Sequence, residues 1–445
     1  MLFTVRGSVS PSTKAPGRAW LVGWAGVVSV MTAPGQTAAI SVFTDPLIET
    51  LGITRTQLSW SYLLGTLAGA LAMPWVGRAL DRFGVRAVMT VVAALFGSVL
   101  IGISFASEII GLTAGFAGIR MAGQGALGLA ATTLVAVHVS ERRGWALGVT
   151  AAIGSAGISL TPVLLEGLVS AYGIATVWRI EGFAVWAIVL PIAVFALRRT
   201  GAPARHLTTI DPALTAEGAQ QLRQCDSAPA WSARAAVRTP MFWAIASGLA
   251  AAGMLTTAIN FHQVSLLGER GLTATEAAAN FIPQTVAGLI STLAVGALTD
   301  RINPKYGVSA SMFLLAVALL SVPYLGPGLP AVGYGLALGC AAGGIRAVEA
   351  AAYTYYFGTS HIGAIRGLAT TISVGSTAFG PLALAFGHDL AGNYAAPVTV
   401  LAVLPLAVMV FAACAPSPRQ FVPPDAGGVP PVEGNAERGA EESSR

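Results

Sequence analysis

The sequence predicts an all-α membrane protein of twelve transmembrane helices arranged as two six-helix bundles. Three observations predict it: a shortage of charge, a series of long apolar runs, and a chain that repeats itself at one fixed offset.

Only 10% of the 445 residues are charged and 54% are hydrophobic. Soluble domains carry about 25% charged residues, so the chain is read as integral to a bilayer. The net charge of +5 is small. No Lys/Arg cluster is interleaved with aromatics, so nucleic acid is not an expected partner. Cys225, Cys340 and Cys414 have neither metal spacing nor a paired framework. No metal and no cofactor is expected.

A bilayer core takes about 20 apolar residues in a helix. Such runs lie at 19–43, 57–80, 87–106, 110–137, 144–171 and 179–197, then at 240–267, 276–299, 306–325, 329–357, 363–387 and 395–415. They are spans one to twelve below. Arg6, Lys14 and Arg18 ahead of the first run mimic a secretion signal. That run continues for about 25 residues, against about 7–15 in a cleaved signal, so it is read as a retained span.

Twelve spans place both termini on one side. Twenty of the 25 Lys and Arg fall on that side, Arg55, Arg179 and Arg270 on the other, and Arg120 and Arg346 inside spans. The positive-inside rule then makes both termini cytoplasmic in a plasma or inner cell membrane. The expected order is a cytoplasmic segment 1–18, a bundle 19–197, a polar cytoplasmic linker 198–239, a bundle 240–415 and a tail 416–445. The tail is rich in Pro, Gly and Glu and reads as disordered. A monomer is expected.

An offset of 219 superposes the two halves. Trp24 meets Trp243, Thr37 meets Thr256, and Gly52 and Thr54 meet Gly271 and Thr273. Gly77, Asp81 and Arg82 meet Gly296, Asp300 and Arg301, and Pro162 meets Pro381. Each copy has an even number of spans, so both face the same way. Parallel repeats of this kind are a transporter design, with the substrate near the midplane where they meet.

The stretch "GRALDRFGVR" (77–86) joins spans two and three. Gly77 permits close helix approach. Asp81 suits a neighbouring helix start, where negative charge is favoured. Arg82 and Arg86 suit the cytoplasmic surface. The motif resembles the Gly-x-x-x-Asp-Arg-x-Gly-x-Arg signature of the major facilitator superfamily, over about residues 19–415. The resemblance implies two bundles that alternate between outward-open and inward-open states. It also implies a cytoplasmic latch formed by Gly77, Asp81, Arg82, Gly84 and Arg86, with Asp300 and Arg301 in the looser second copy, where Asn303 replaces the later glycine. Gly154, Gly157 and Pro162, with "YFGTSHIGAIRG" (356–367), resemble the monocarboxylate-porter and oxalate–formate-antiporter branches. That implies a small organic anion, monocarboxylate-like, as substrate. Span one lacks the acidic-Gly-Gly-Trp entry of many monocarboxylate porters, and span eight lacks the Arg with which that branch often holds a carboxylate.

Arg120 in "AGIRMAGQ" and Arg346 in "GGIRAVEA" are counterparts at an offset of 226, seven more than elsewhere. Seven residues are almost two turns at 1.5 Å per residue, so Arg120 should sit about 10 Å nearer the outside than Arg346. An Arg at a helix centre costs at least about 2.5–3.5 kcal/mol, so it faces a cavity or a partner. Arg346, Glu349 and Tyr353 share one face. Two readings stand side by side: Arg346 and Glu349 as a structural ion pair, or Arg346 as the anion site and Glu349 as the proton carrier. Gln36 and Thr37, after a Pro34-Gly35 kink, and Asn260 and His262 in span seven are further substrate-binding candidates. Asp45 and Glu166 read as solvated residues at outer helix ends.

No zinc His-Glu motif, phosphate loop or Gly-x-Ser-x-Gly elbow occurs, so an enzyme is not expected. The expected function is secondary active transport of a small organic anion, with protons as the candidate coupling ion. An exporter of hydrophobic drugs or natural products and a non-transporting receptor or scaffold are the rival readings.

Overall fold

The computed structural model describes residues 19–139, 143–195, 231–299, 302–358 and 362–418. The segment 1–18, most of the linker, nearly all of the tail, Asp300 and Arg301 lie outside the described residues, as does the side chain of Asp81.

Every regular element among the described residues is helical. Ten helices there are long and apolar enough to cross a membrane. Expected spans one and four are not among the ten, because each is interrupted. Span one runs as Ala19–Val30, a 3-10 turn Ala33–Gly35, and Thr37–Leu51. Pro34 has no amide hydrogen to continue the ladder, so the helix stops and restarts. Span four runs as Ile109–Ile119, a π-helical segment Arg120–Leu127, and Gly128–His138. The two interruptions touch. A Cβ on Gly35 would stand 2.7 Å from both the Gln124 amide nitrogen and the Ile119 carbonyl, so only glycine fits there.

Spans two and three are joined without a loop. The chain is helical over Arg55–Ile103 and is broken at Gly84, with φ 78° and ψ 162°. A single residue with positive φ turns the chain, and glycine adopts that φ at little cost. The second copy turns differently. Asn303 has φ −62° and caps Pro304–Ser321, its side chain accepting from the Lys305 amide.

The offset of 219 is visible in the turns. Gly52 and Gly271 have φ 61° and 85°, and Gly173 and Gly392 have φ 75° and 71°. Thr54 with Gln57, and Thr273 with Glu276, build the same capping box at the start of spans two and eight. Pro162 and Pro381 both lie inside helices.

The linker is not polar to its end. Helix Ala233–Val237 buries Ala236, and Trp231 meets the Phe357 ring edge-on at 5.6 Å. Residues 231–239 therefore dock on the second bundle.

Candidate substrate cavity between the bundles

Span ten, Leu329–Phe357, is shaped by small residues. A Cβ on Gly339 or Gly343 would collide with the carbonyl oxygens of Gln284 or Gly288 in span eight. A Cβ on Gly344 would stand 2.6 Å from Ser311 Oγ in span nine. The helix thus packs backbone to backbone. Arg346, one turn beyond Gly343 on the same side, cannot pack so closely and extends into open space.

That space is a cavity of about 370 Å³ between the bundles. Span one supplies Gln36, Thr37 and Ala38, and span five supplies Ser155, Ile158 and Ser159. Span seven supplies Thr256 and Asn260, and span eight Phe281, Gln284, Thr285 and Leu289. Span ten supplies Leu338, Gly339, Ala342 and Arg346. Arg346 is the one charged residue in that lining, and among the described residues it forms no ion pair. Asn260 Oδ1 has no hydrogen-bond partner. The far wall is held by amides: Gln284 Nε2 donates to Gln263 Oε1 at 2.6 Å, and Asn280 Nδ2 to the Ala331 carbonyl at 2.6 Å.

Arg346, Gln36, Thr37 and Asn260 are thus brought together, and four other expected residues lie elsewhere. Arg120 is 5% exposed and sits behind the wall. Its Nη1 donates to the Gly35 carbonyl at 3.0 Å and its Nε to Thr66 Oγ1 at 3.1 Å, and its guanidinium lies 4.7 Å over the Tyr62 ring. It ties the break in span four to the break in span one. The depth difference follows from helix register. Gly69 of span two faces Arg120 and Met121, whereas its counterpart Gly288 faces Gly339 and Gly343, so Arg346 lies further toward the side of the termini. His262 is fully buried toward the opposite side. Its Nε2 donates to the Pro381 carbonyl and its Nδ1 accepts from Tyr394 OH, both at 3.0 Å. Tyr353 is fully buried, packing on Phe242 and Phe357. Glu349 is half-buried, does not line the cavity and forms no ion pair with Arg346. The i, i+3 spacing puts the two on neighbouring positions, but Arg346 bends to the cavity while Glu349 lies nearly a turn nearer the side of the termini.

The residues missed were neutral. Ser155 and Ser159 are spaced i, i+4 in span five, and Gln284 and Thr285 are adjacent in span eight. Polar pairs inside apolar runs were the available signal.

The bundles are joined on the side away from the termini. Arg55 Nη1 donates to Asp45 Oδ1 at 2.7 Å and to Ser265 Oγ at 3.2 Å, and Ser265 Oγ donates to Asp45 Oδ2 at 2.8 Å. Thr56 Oγ1 donates to Asp389 Oδ2 at 2.6 Å, and Thr44 Oγ1 to the Phe261 carbonyl at 3.3 Å. Asp45 is therefore part of a closure, not the solvated helix end that was expected. Deeper in, Ser159 and Thr285 meet across the cavity wall. Asp81 of the motif at 77–86 has no described side chain, and Asp300 and Arg301 lie outside the described residues. Arg82 lies 5.2 Å over the neighbouring Phe83 ring, and no hydrogen bond joins the motif's described side chains to the second bundle.

A family model described as Major Facilitator Superfamily matches residues 25–381. The chain belongs to the major facilitator superfamily. Monocarboxylate transporter 9 of Pongo abelii is 25% identical over 158 residues, 36% of this chain and 31% of that protein. The chain thus matches less than a third of the length of that curated relative. Two solved structures share the fold at 15% identity. Both are of a bacterial homolog to the human lysosomal transporter Spinster, inward-facing. The occupied form has a TM-score of 0.67 and covers 92% of this chain and 98% of its own; the unoccupied form has 0.62, 90% and 96%. This superfamily member is a multi-pass membrane protein.

Proposed function

We propose that this transporter moves a small organic anion, monocarboxylate-like, by alternating access and coupled to protons. It would act as a monomer in the cell membrane with both termini in the cytoplasm. One observation carries the reading. The cavity between the bundles holds a single charge, that of Arg346, surrounded by neutral hydrogen-bonding groups and with no carboxylate in its lining. A guanidinium presents paired N–H donors that fit a carboxylate, and in a low-dielectric setting a charge-assisted bond of that kind is strong. A hydrophobic drug would leave this charge and the polar wall unpaired, which is costly.

Counterflow in proteoliposomes tests it, with a panel of labelled monocarboxylates and cationic drugs. Exchange of carboxylates is expected, abolished in Arg346→Ala and partly kept in Arg346→Lys. Exchange of cations instead, or an Arg346→Ala protein that exchanges carboxylates normally, would overturn the anion reading. A protein that exchanges nothing on the panel would favour a receptor.

A further inference from the structure

Glu181 lies within helix Ile174–Val194 and is 8% exposed. Its Oε2 has no hydrogen-bond partner, and it forms no ion pair among the described residues. The charges on the helices packed around it stand toward helix ends or have other partners: Arg55 bonds Asp45 and Ser265, and Arg78 the Pro74 carbonyl. Arg82 and Arg86 begin span three at the side of the termini. Asp45 and Glu49 end span one and Glu166 nears the end of span five, all on the opposite side. Arg179, on the same helix, donates to Ser104 Oγ at 3.0 Å and covers the Phe105 ring.

One turn from Glu181, Trp178 is 1% exposed and its Nε1 also lacks a partner. The Trp178 ring stacks on Phe43 at 4.0 Å. Phe43 precedes Thr44, which bonds the Phe261 carbonyl across the bundle interface. Two unpaired polar groups therefore sit behind the part of span one that closes the outer side.

We propose that Glu181 is a proton-binding site, loaded while the outer side is closed and unloaded when it opens. This rests on the transport reading above. A buried carboxylate with an unpaired oxygen lowers the cost of burial by taking up a proton. Opening the outer side breaks the Thr44 contact and frees helix Thr37–Leu51, which the Pro34-Gly35 break separates from the rest of span one, to shift Phe43 against span six within the first bundle. That uncovers the Trp178 face and lets water and the indole N–H stabilise the anion. The step is simple: an O–H bond to the carboxylate breaks on opening, the proton passes to outer water, and the bond re-forms on closing.

The test needs no substrate. Infrared spectra of the purified full-length protein at neutral pH report the carbonyl stretch of a protonated carboxylic acid. The band is expected in the wild type and in Glu349→Gln, and absent in Glu181→Gln. Glutamine is nearly isosteric with the neutral acid and so preserves packing. Labelling with 13C-glutamate should shift the band in the wild type, which shows that a glutamate is its source, and Glu181→Gln shows which one. A wild type with no band, a band unmoved by the label, or a band that survives in Glu181→Gln would overturn the proposal. Carboxylate counterflow is scored separately: its absence from the wild type would sink the anion reading and leave the band unaffected.

Discussion

At Arg346 the chain places a permanent charge where the bilayer disfavours it, and the cavity is what offsets that cost. Its setting is tight. A Cβ on Gly288 would stand 3.3 Å from Arg346 Nη2. Gly288→Val should therefore push the guanidinium from its position and cut carboxylate exchange about tenfold or more, equivalent to about 1.4 kcal/mol. Thermal unfolding of the purified variant would show whether the fold survives; exchange at the wild-type rate in folded protein would mean that Arg346 is not held there. Gly84 is a second single-residue requirement. With φ at 78° and ψ at 162°, a region that essentially only glycine adopts, Gly84→Ala should cost about 1–3 kcal/mol in the turn between spans two and three. At its counterpart Asn303 the φ is negative, so Asn303→Ser, which keeps a capping oxygen for the Lys305 amide, should cost little. A comparison of the two melting temperatures separates these cases.

Helix ends and helix faces are the next scale. The capping boxes of Thr54 and Thr273 satisfy amide donors at the start of spans two and eight. Thr54→Ala and Thr273→Ala should each destabilise by about 1 kcal/mol. Similar losses in denaturant titrations are the outcome expected of a true repeat; a large effect at only one site would show that the caps are not equivalent. Span ten depends on its glycine stripe instead. Gly343→Val would drive two methyls into the Gly288 carbonyl, and overpacking of this kind costs about 1–3 kcal/mol. It should lower both thermal stability and exchange, because the same contact positions Arg346.

For the whole molecule, the polar contacts on the outer side set the balance between the two states. Asp389 sits at the N-terminal end of span two, bonding Thr56 Oγ1 and its amide. A carboxylate at a helix start is worth about 0.3–1 kcal/mol. Arg55 and Asp45 belong to one bundle, and their hydrogen bonds across the interface are with Ser265, at 3.2 and 2.8 Å, each worth about 1 kcal/mol net. Each alone is small. Together, Arg55→Ala and Asp389→Asn should remove one to two kcal/mol of closure, roughly a 5–30-fold shift toward outward-open. A cysteine placed at Thr256 in a background with Ser at Cys225, Cys340 and Cys414 would report this as faster labelling from the outer side. Unchanged labelling would mean that closure rests on packing, as at Tyr62 and Phe261, whose rings lie 4.5 Å apart.

Much of this was set by the sequence alone, for physical reasons local to the chain. Apolar run length determines where helices can span, and the offset of 219 carries the same turn chemistry into both halves, down to Gly52 with Gly271 and Thr54 with Thr273. The Pro34-Gly35 break was legible because proline removes an amide wherever it stands. The tertiary structure alone decided which polar groups meet. Arg346 and Glu349 are three apart on one helix, yet only packing against span eight determines that Arg346 enters the cavity and Glu349 does not. Arg120 looked like a binding residue because a buried charge needs a partner, and its partner is the backbone of another span. Asp45 looked solvated because its carboxylate stands at a helix end; the second bundle covers it with Ser265. Those pairings join residues more than 80 positions apart, as from Arg120 to Gly35 and from Asp45 to Ser265. Their distance depends on how helices lean against one another, which local sequence does not encode.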